Sequence, residues 1–154
     1  MRRLAVLVTL GGLACGGGAR PAEPAPQSMT EALTQFFAAV KANDLERLGS
    51  LWGTERGPAA SWMKADELNQ RLTVIQKYLM HVGYRVVEGP LPAAVGGERR
   101  RTFRVELQRE RCNRVLPIDL VRTRSGGWLV VDVHLADAGN PRLACPPQGS
   151  GTRP

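Results

Sequence analysis

The spacing of apolar residues changes once along this chain, and that change restricts the fold more than any other feature. Hydrophobic side chains first recur at intervals of three and four. Met29, Leu33, Phe36, Phe37 and Val40 form one such set, Leu45, Leu48, Leu51 and Trp52 a second, and Leu68, Leu72, Ile75, Leu79 and Val82 a third. Each is the stripe of an amphipathic helix. From Tyr84 onward the interval falls to two, which marks strands whose alternate side chains face opposite ways. Phe103, Val105 and Leu107, then Leu116, Ile118 and Leu120, then Leu129, Val131, Val133 and Leu135 are the predicted core faces of successive strands. Helices followed by an antiparallel meander predict an α+β domain, with three N-terminal helices packed on one face of a curved antiparallel sheet.

Local signals place the boundaries. Ser28-Met29-Thr30-Glu31 has the form of a capping box, in which side chains satisfy the free N–H groups of a helix start. Asn43-Asp44 interrupts the first helix and caps the second, and Gly53 to Pro58 breaks the pattern. The third helix is expected to begin near Ser61 or Asp66 and to close on Gly83 in a left-handed conformation. Gly96-Gly97 and Ser125-Gly126-Gly127 supply hairpin turns.

The ends of the chain read differently. Met1-Arg2-Arg3 and the apolar run Leu4 to Leu13 have the layout of a signal sequence, and the run falls short of the ~20 residues of a membrane span. Gly11-Gly12-Leu13-Ala14-Cys15 followed by Gly16-Gly17-Gly18 resembles a bacterial lipobox, which implies lipidation of Cys15. The alternative is ordinary signal peptidase cleavage with Cys15 incidental. The chain then divides into a signal segment 1–15, a Gly/Pro-rich tether 16–27, one domain 28–145 and a tail 146–154. Export to the cell envelope, on its periplasmic or extracellular face, is the expected destination, with the membrane as a partner through the lipid anchor. In that oxidising space, assigning Cys15 to lipid leaves Cys112 and Cys145, which are predicted to form a disulfide. Cys112 lies in the turn between the second and third strands, and an antiparallel fourth strand returns the chain to that end.

The formal net charge is +7, from 21 Lys and Arg against 14 Asp and Glu; without Arg2 and Arg3 it is 19 against 14, or +5. Nine arginines fall between Arg99 and Arg124. In an exported chain these are expected to solvate the outer face of the sheet, and nucleic acid is not an expected partner.

The helix-break-helix segment Ala32 to Leu48 and the closing strand Gly127-Trp128-Leu129-Val130-Val131-Asp132-Val133-His134-Leu135 are similar to the nuclear transport factor 2-like superfamily. That superfamily includes ketosteroid isomerases and SnoaL-type cyclases. The resemblance implies a cone-like fold with a pocket between helices and sheet, and it carries no catalytic motif.

Asp132 and His134 share one face of the last strand, and Glu106 and Asp119 are candidates for the same face. They are raw material for acid/base chemistry but are expected to point away from the helices. His81 is expected at a helix end, where a partly charged imidazole suits the dipole. No metal-ligand spacing and no phosphate-binding glycine motif occurs in the sequence, so no metal or cofactor is expected. Trp52, Trp62, Tyr78 and Tyr84 are candidates to line a ligand pocket. The expected function is a non-catalytic exported domain that binds a small apolar ligand or an envelope protein. The alternatives are a ketosteroid isomerase- or dehydratase-like enzyme with an acid/base residue in the pocket, and a polymer-facing accessory domain using the arginine-rich strands.

Overall fold

A computed structural model describes residues 24–143. The helix α1 (Met29–Ala42) starts where the capping pattern places it: the Ser28 hydroxyl accepts from the Glu31 N–H at 3.1 Å, and the Glu31 carboxylate accepts from the Gln27 N–H at 2.9 Å. It ends at Asn43, which takes the left-handed conformation at φ +55° that asparagine tolerates best after glycine. The adjacent Asp44 caps α2 (Leu45–Leu51), accepting from the Arg47 N–H at 2.8 Å. The glycine-containing break that follows is a small antiparallel ribbon, β1 (Gly53–Thr54) with β2 (Gly57–Pro58), closed by one 3-10 turn, Ala59–Ser61.

The third helix, α3 (Ala65–Leu79), buries Leu68, Leu72, Ile75 and Leu79 as its stripe requires. It does not continue to a glycine cap. Gly83 opens the next strand opposite Gln108, and Val82 is 57% exposed. The helix stops at Met80, whose backbone leaves the helical conformation, and Arg109 satisfies carbonyls at that end: its guanidinium donates to Tyr78 O, and at 3.2 Å to Met80 O. A cation is the suitable partner for the negative end of a helix dipole.

The main sheet is antiparallel with strand order β3 (Gly83–Pro92), β4 (Arg100–Gln108), β5 (Arg114–Arg122), β6 (Trp128–Val133). A single helical turn, α4 (Leu135–Ala138), follows it, so the domain is α+β with three helices before the sheet and a fourth after it. One sheet face, with Phe103, Val105, Leu107, Leu116, Ile118 and Leu120, packs on Leu33, Phe36, Phe37, Leu48, Leu51 and Leu72. Phe36 and Phe37 have no exposed surface. Burial of each such side chain stabilises the fold by roughly 1.5–3 kcal/mol.

The last strand departs from the strict alternation expected of it. Asp119 pairs with Asp132 but Leu120 pairs with Val130, so Val131 is an extra residue, a β-bulge. Beyond the bulge the faces exchange. Val130 and Val133 join the core, Leu129 lies with its partner Val121 on the opposite face, and Leu135 belongs to α4. Leu129 is buried nonetheless, because Gly53 of the ribbon packs on it, with room for no side chain there: a Cβ on Gly53 would stand 3.0 Å from Leu129 Cδ1.

Candidate functional site

The largest of the described depressions, about 470 Å³, opens where the end of α3, the β4–β5 turn and the segment after α4 meet. His81, Arg109, Arg111, Cys112 and Arg114 contribute its polar wall, and Met80, Val82, Pro141 and Leu143 its apolar one, with Glu110 also on the lining. Arg109 is anchored: besides the α3 carbonyls it donates to Ala138 O at 2.8 Å, tying α4 to the same point. Burial, and then the nearby charge of Arg114, hold its pKa below the ordinary guanidinium value. Among the described residues no carboxylate forms an ion pair with Arg109, Arg111 or Arg114. Three guanidiniums beside an apolar wall favour an anionic group with a hydrophobic body.

His81 is the residue that sequence reasoning placed for the wrong cause. Desolvation by burial, above all, lowers its pKa from 6.5, and the charges of Lys41 and Arg109 add to that; hydrogen bonding to Leu79 O at 2.8 Å opposes it. The ring lies edge-on to Phe37 and Tyr84, at centroid distances of 5.4 and 5.8 Å. The neutral imidazole is favoured, with Nδ1–H as the donor to Leu79 O and Nε2 left as an acceptor. The ring does partner the last carbonyl of α3, as a residue at a helix end can, but desolvation outweighs that bond and disfavours the charged form. The only sequence signal available was the position of His81 in the run Leu79-Met80-His81-Val82, which reads equally as surface.

The aromatic candidates are not brought to one pocket. Trp62 is 51% exposed, with its indole N–H 3.5 Å from Gly57 O. Trp52 packs partly buried against the core and bridges to Val130. Tyr78 meets Arg109 only through its backbone carbonyl in the hydrogen bonds described. Tyr84 stacks on Phe37 at 4.3 Å and lines a separate depression with Val86, Pro90 and Phe103.

Asp132 is exposed on the sheet face turned away from the helices, as expected, but β6 ends at Val133 and the exposed His134 lies just beyond it, before α4, not on the strand. There they meet Asp119, and one donor atom from each of the three lies within 4.8 Å of the others. His134 Nε2 is 3.7 Å from Asp119 Oδ2, while Asp119 Oδ1 accepts from the Thr102 hydroxyl at 2.6 Å. Oxygen and imidazole donors at this spacing are those a divalent cation could draw together, a constellation that residues 13 positions apart in sequence do not announce. Glu106 shares that face but stands four residues along β4 from Thr102, the partner of Asp119, and there Arg85 holds its carboxyl below the usual range.

Cys112 is disulfide-bonded. Cys15 and Cys145, the chain's other cysteines, both lie outside the described residues, as do the predicted signal segment 1–15, residues 16–23 of the predicted tether and the predicted tail 146–154. No helix among the described residues is long and apolar enough to cross a membrane. Comparison with protein-family models, curated proteins and solved structures finds no match.

Proposed function

We propose that this chain is an exported, lipid-anchored, non-catalytic domain that binds a small ligand at the cell envelope through the arginine-lined depression beside Cys112. The observation that carries the reading is the combination of a filled apolar interior with an open hollow lined, among the described residues, by three arginines and a single carboxylate, Glu110. The buried polar residues described are Gln76, His81 and Thr123, so no carboxylate stands among the apolar walls where an isomerase would need its base. The order of helices and strands supports the resemblance to the nuclear transport factor 2-like superfamily and its cone-like arrangement. The space between helices and sheet, however, is occupied by Phe36, Phe37 and their neighbours. A ligand is therefore assigned to the rim, and it carries an anionic group as well as an apolar body. The enzyme reading is favoured by one observation alone, the neutral His81 on that rim.

The disulfide belongs to the same proposal. Leu143, two residues before Cys145, lines the depression that Cys112 lines, which supports Cys145 as the partner of Cys112. Mass spectrometry of small molecules that copurify with the natively exported protein tests the binding reading. An anionic amphiphile is expected on the wild-type chain and on Asp132→Asn and His134→Ala, and its occupancy is expected to fall at least about tenfold on Arg111→Gln/Arg114→Gln, since each charge-assisted hydrogen bond contributes about 1.5–3 kcal/mol. Retention by the arginine variant would overturn the site.

A further inference from the structure

We propose that the end of the domain at which the chain enters it is a docking face for anionic lipid headgroups, with Arg99, Arg101, Arg122 and Arg124 as the phosphate-binding side chains. The orientation, though not the headgroup binding itself, rests on the reading of Cys15 as the lipidated residue. Antiparallel pairing brings the four together. Arg101 stands at the start of β4 opposite Leu120, Arg122 at the end of β5 opposite Trp128, Arg99 in the turn before β4 and Arg124 in the loop after β5. All four line one depression of about 440 Å³ with Trp128 and a single carboxylate, Glu98. Among the described residues none of the four guanidiniums pairs with a carboxylate. Arg101 is steadied by Glu98 O and Arg100 O, each 2.7 Å from its Nη1.

The chain arrives at this same end. The Trp128 N–H donates to Pro26 O at 2.7 Å, and a Cβ on Gly127 would stand 2.6 Å from Ala25 Cβ, so residues 25 and 26 lie directly on the β5–β6 loop. The eight residues between Cys15 and Pro24 reach only about 30 Å at full extension. An acylated Cys15 would therefore hold this face, rather than the far end of α3, toward the bilayer. Guanidinium groups engage phosphate oxygens in a bidentate fork, and an indole suits the headgroup region with its apolar body and polar tip. Anionic phospholipid answers both features.

Co-sedimentation with vesicles tests this, using the mature chain 15–154 with Cys15→Ser so that no acyl chain contributes. Binding is expected to vesicles containing phosphatidylglycerol, to weaken steeply with salt, and to be absent on pure phosphatidylcholine. Each arginine near the surface contributes about fivefold, so Arg99→Gln/Arg124→Gln should lower partitioning about 25-fold. Arg71→Gln/Lys77→Gln on α3, which removes the same net charge, should change it less than about threefold, and Arg99→Lys/Arg124→Lys should retain most of it. Equal losses in the two glutamine pairs would mean diffuse charge attraction and overturn the proposal. So would release by inorganic phosphate at the concentration of lipid phosphate, which would assign the site to a free anion. Membrane fractionation of the native protein reads the state of Cys15 separately: an unacylated chain that still binds vesicles through these arginines removes the anchor and leaves the headgroup site.

Discussion

His81 shows how one side chain can be placed correctly in sequence and misread in chemistry. Its burial against Phe37 and Tyr84 lowers its pKa in the folded chain, so the unfolded chain takes up a proton first as pH falls. The stability that His81 contributes is complete above its unfolded value of 6.5 and is lost as pH drops from there through the lower folded value. Urea denaturation on either side of pH 6.5 is expected to show a loss on acidification that His81→Phe abolishes, in a range where carboxylates have not yet begun to titrate. An unchanged pH slope in the variant would mean that the imidazole is solvated. The nearby Arg109 illustrates the complementary case, a charge kept in a partly buried place because α3 and α4 both end on it.

At the scale of elements, the helix boundaries were the most legible part of the sequence, because Ser28, Asn43 and Asp44 act on their own neighbours and need no tertiary partner. The end of α3 was not legible: its carbonyls are satisfied by Arg109, which is 31 residues from Tyr78. The four strands of the main sheet were legible in number and order, while the β1–β2 ribbon was not, because two residues per strand are too few to show a period. The phase of β6 was not, since Leu129, Val130, Val131 and Val133 are all aliphatic and only pairing with β5 decides which of them is extra. The candidate site was the least legible part, because its walls come from three separate turns and its charges from residues that read as ordinary surface. Deleting Val131 tests the bulge. With Val131 removed, Asp132 stays opposite Asp119 and Val130 opposite Leu120 in an unbroken ladder, so every core face is kept and the variant is expected to lose less than about 1 kcal/mol in denaturant unfolding. A loss above about 3 kcal/mol, the cost of an unpaired buried charge or a lost core contact, would show that Val131 is not the extra residue.

At the scale of the whole molecule, the proposed reading of the three cysteines ties together compartment, anchoring and fold. Cys112 is in a disulfide, and only Cys15 and Cys145 remain as partners within the chain. A lipidated cysteine has its sulfur in a thioether and cannot also form a disulfide, so the anchor at Cys15 requires the bridge from Cys112 to Cys145. In the chain-entropy model a bridge closing that loop stabilises the domain by roughly 3–4 kcal/mol, a large share for one small domain. Peptide mass spectrometry of the unreduced protein, taken from the membranes of cells that produce it, addresses both features at once. The account predicts a mature N-terminus at an acylated Cys15 together with a cross-linked pair of peptides carrying Cys112 and Cys145. A peptide joining Cys15 to Cys112, or an unmodified N-terminus downstream of Cys15, would contradict it.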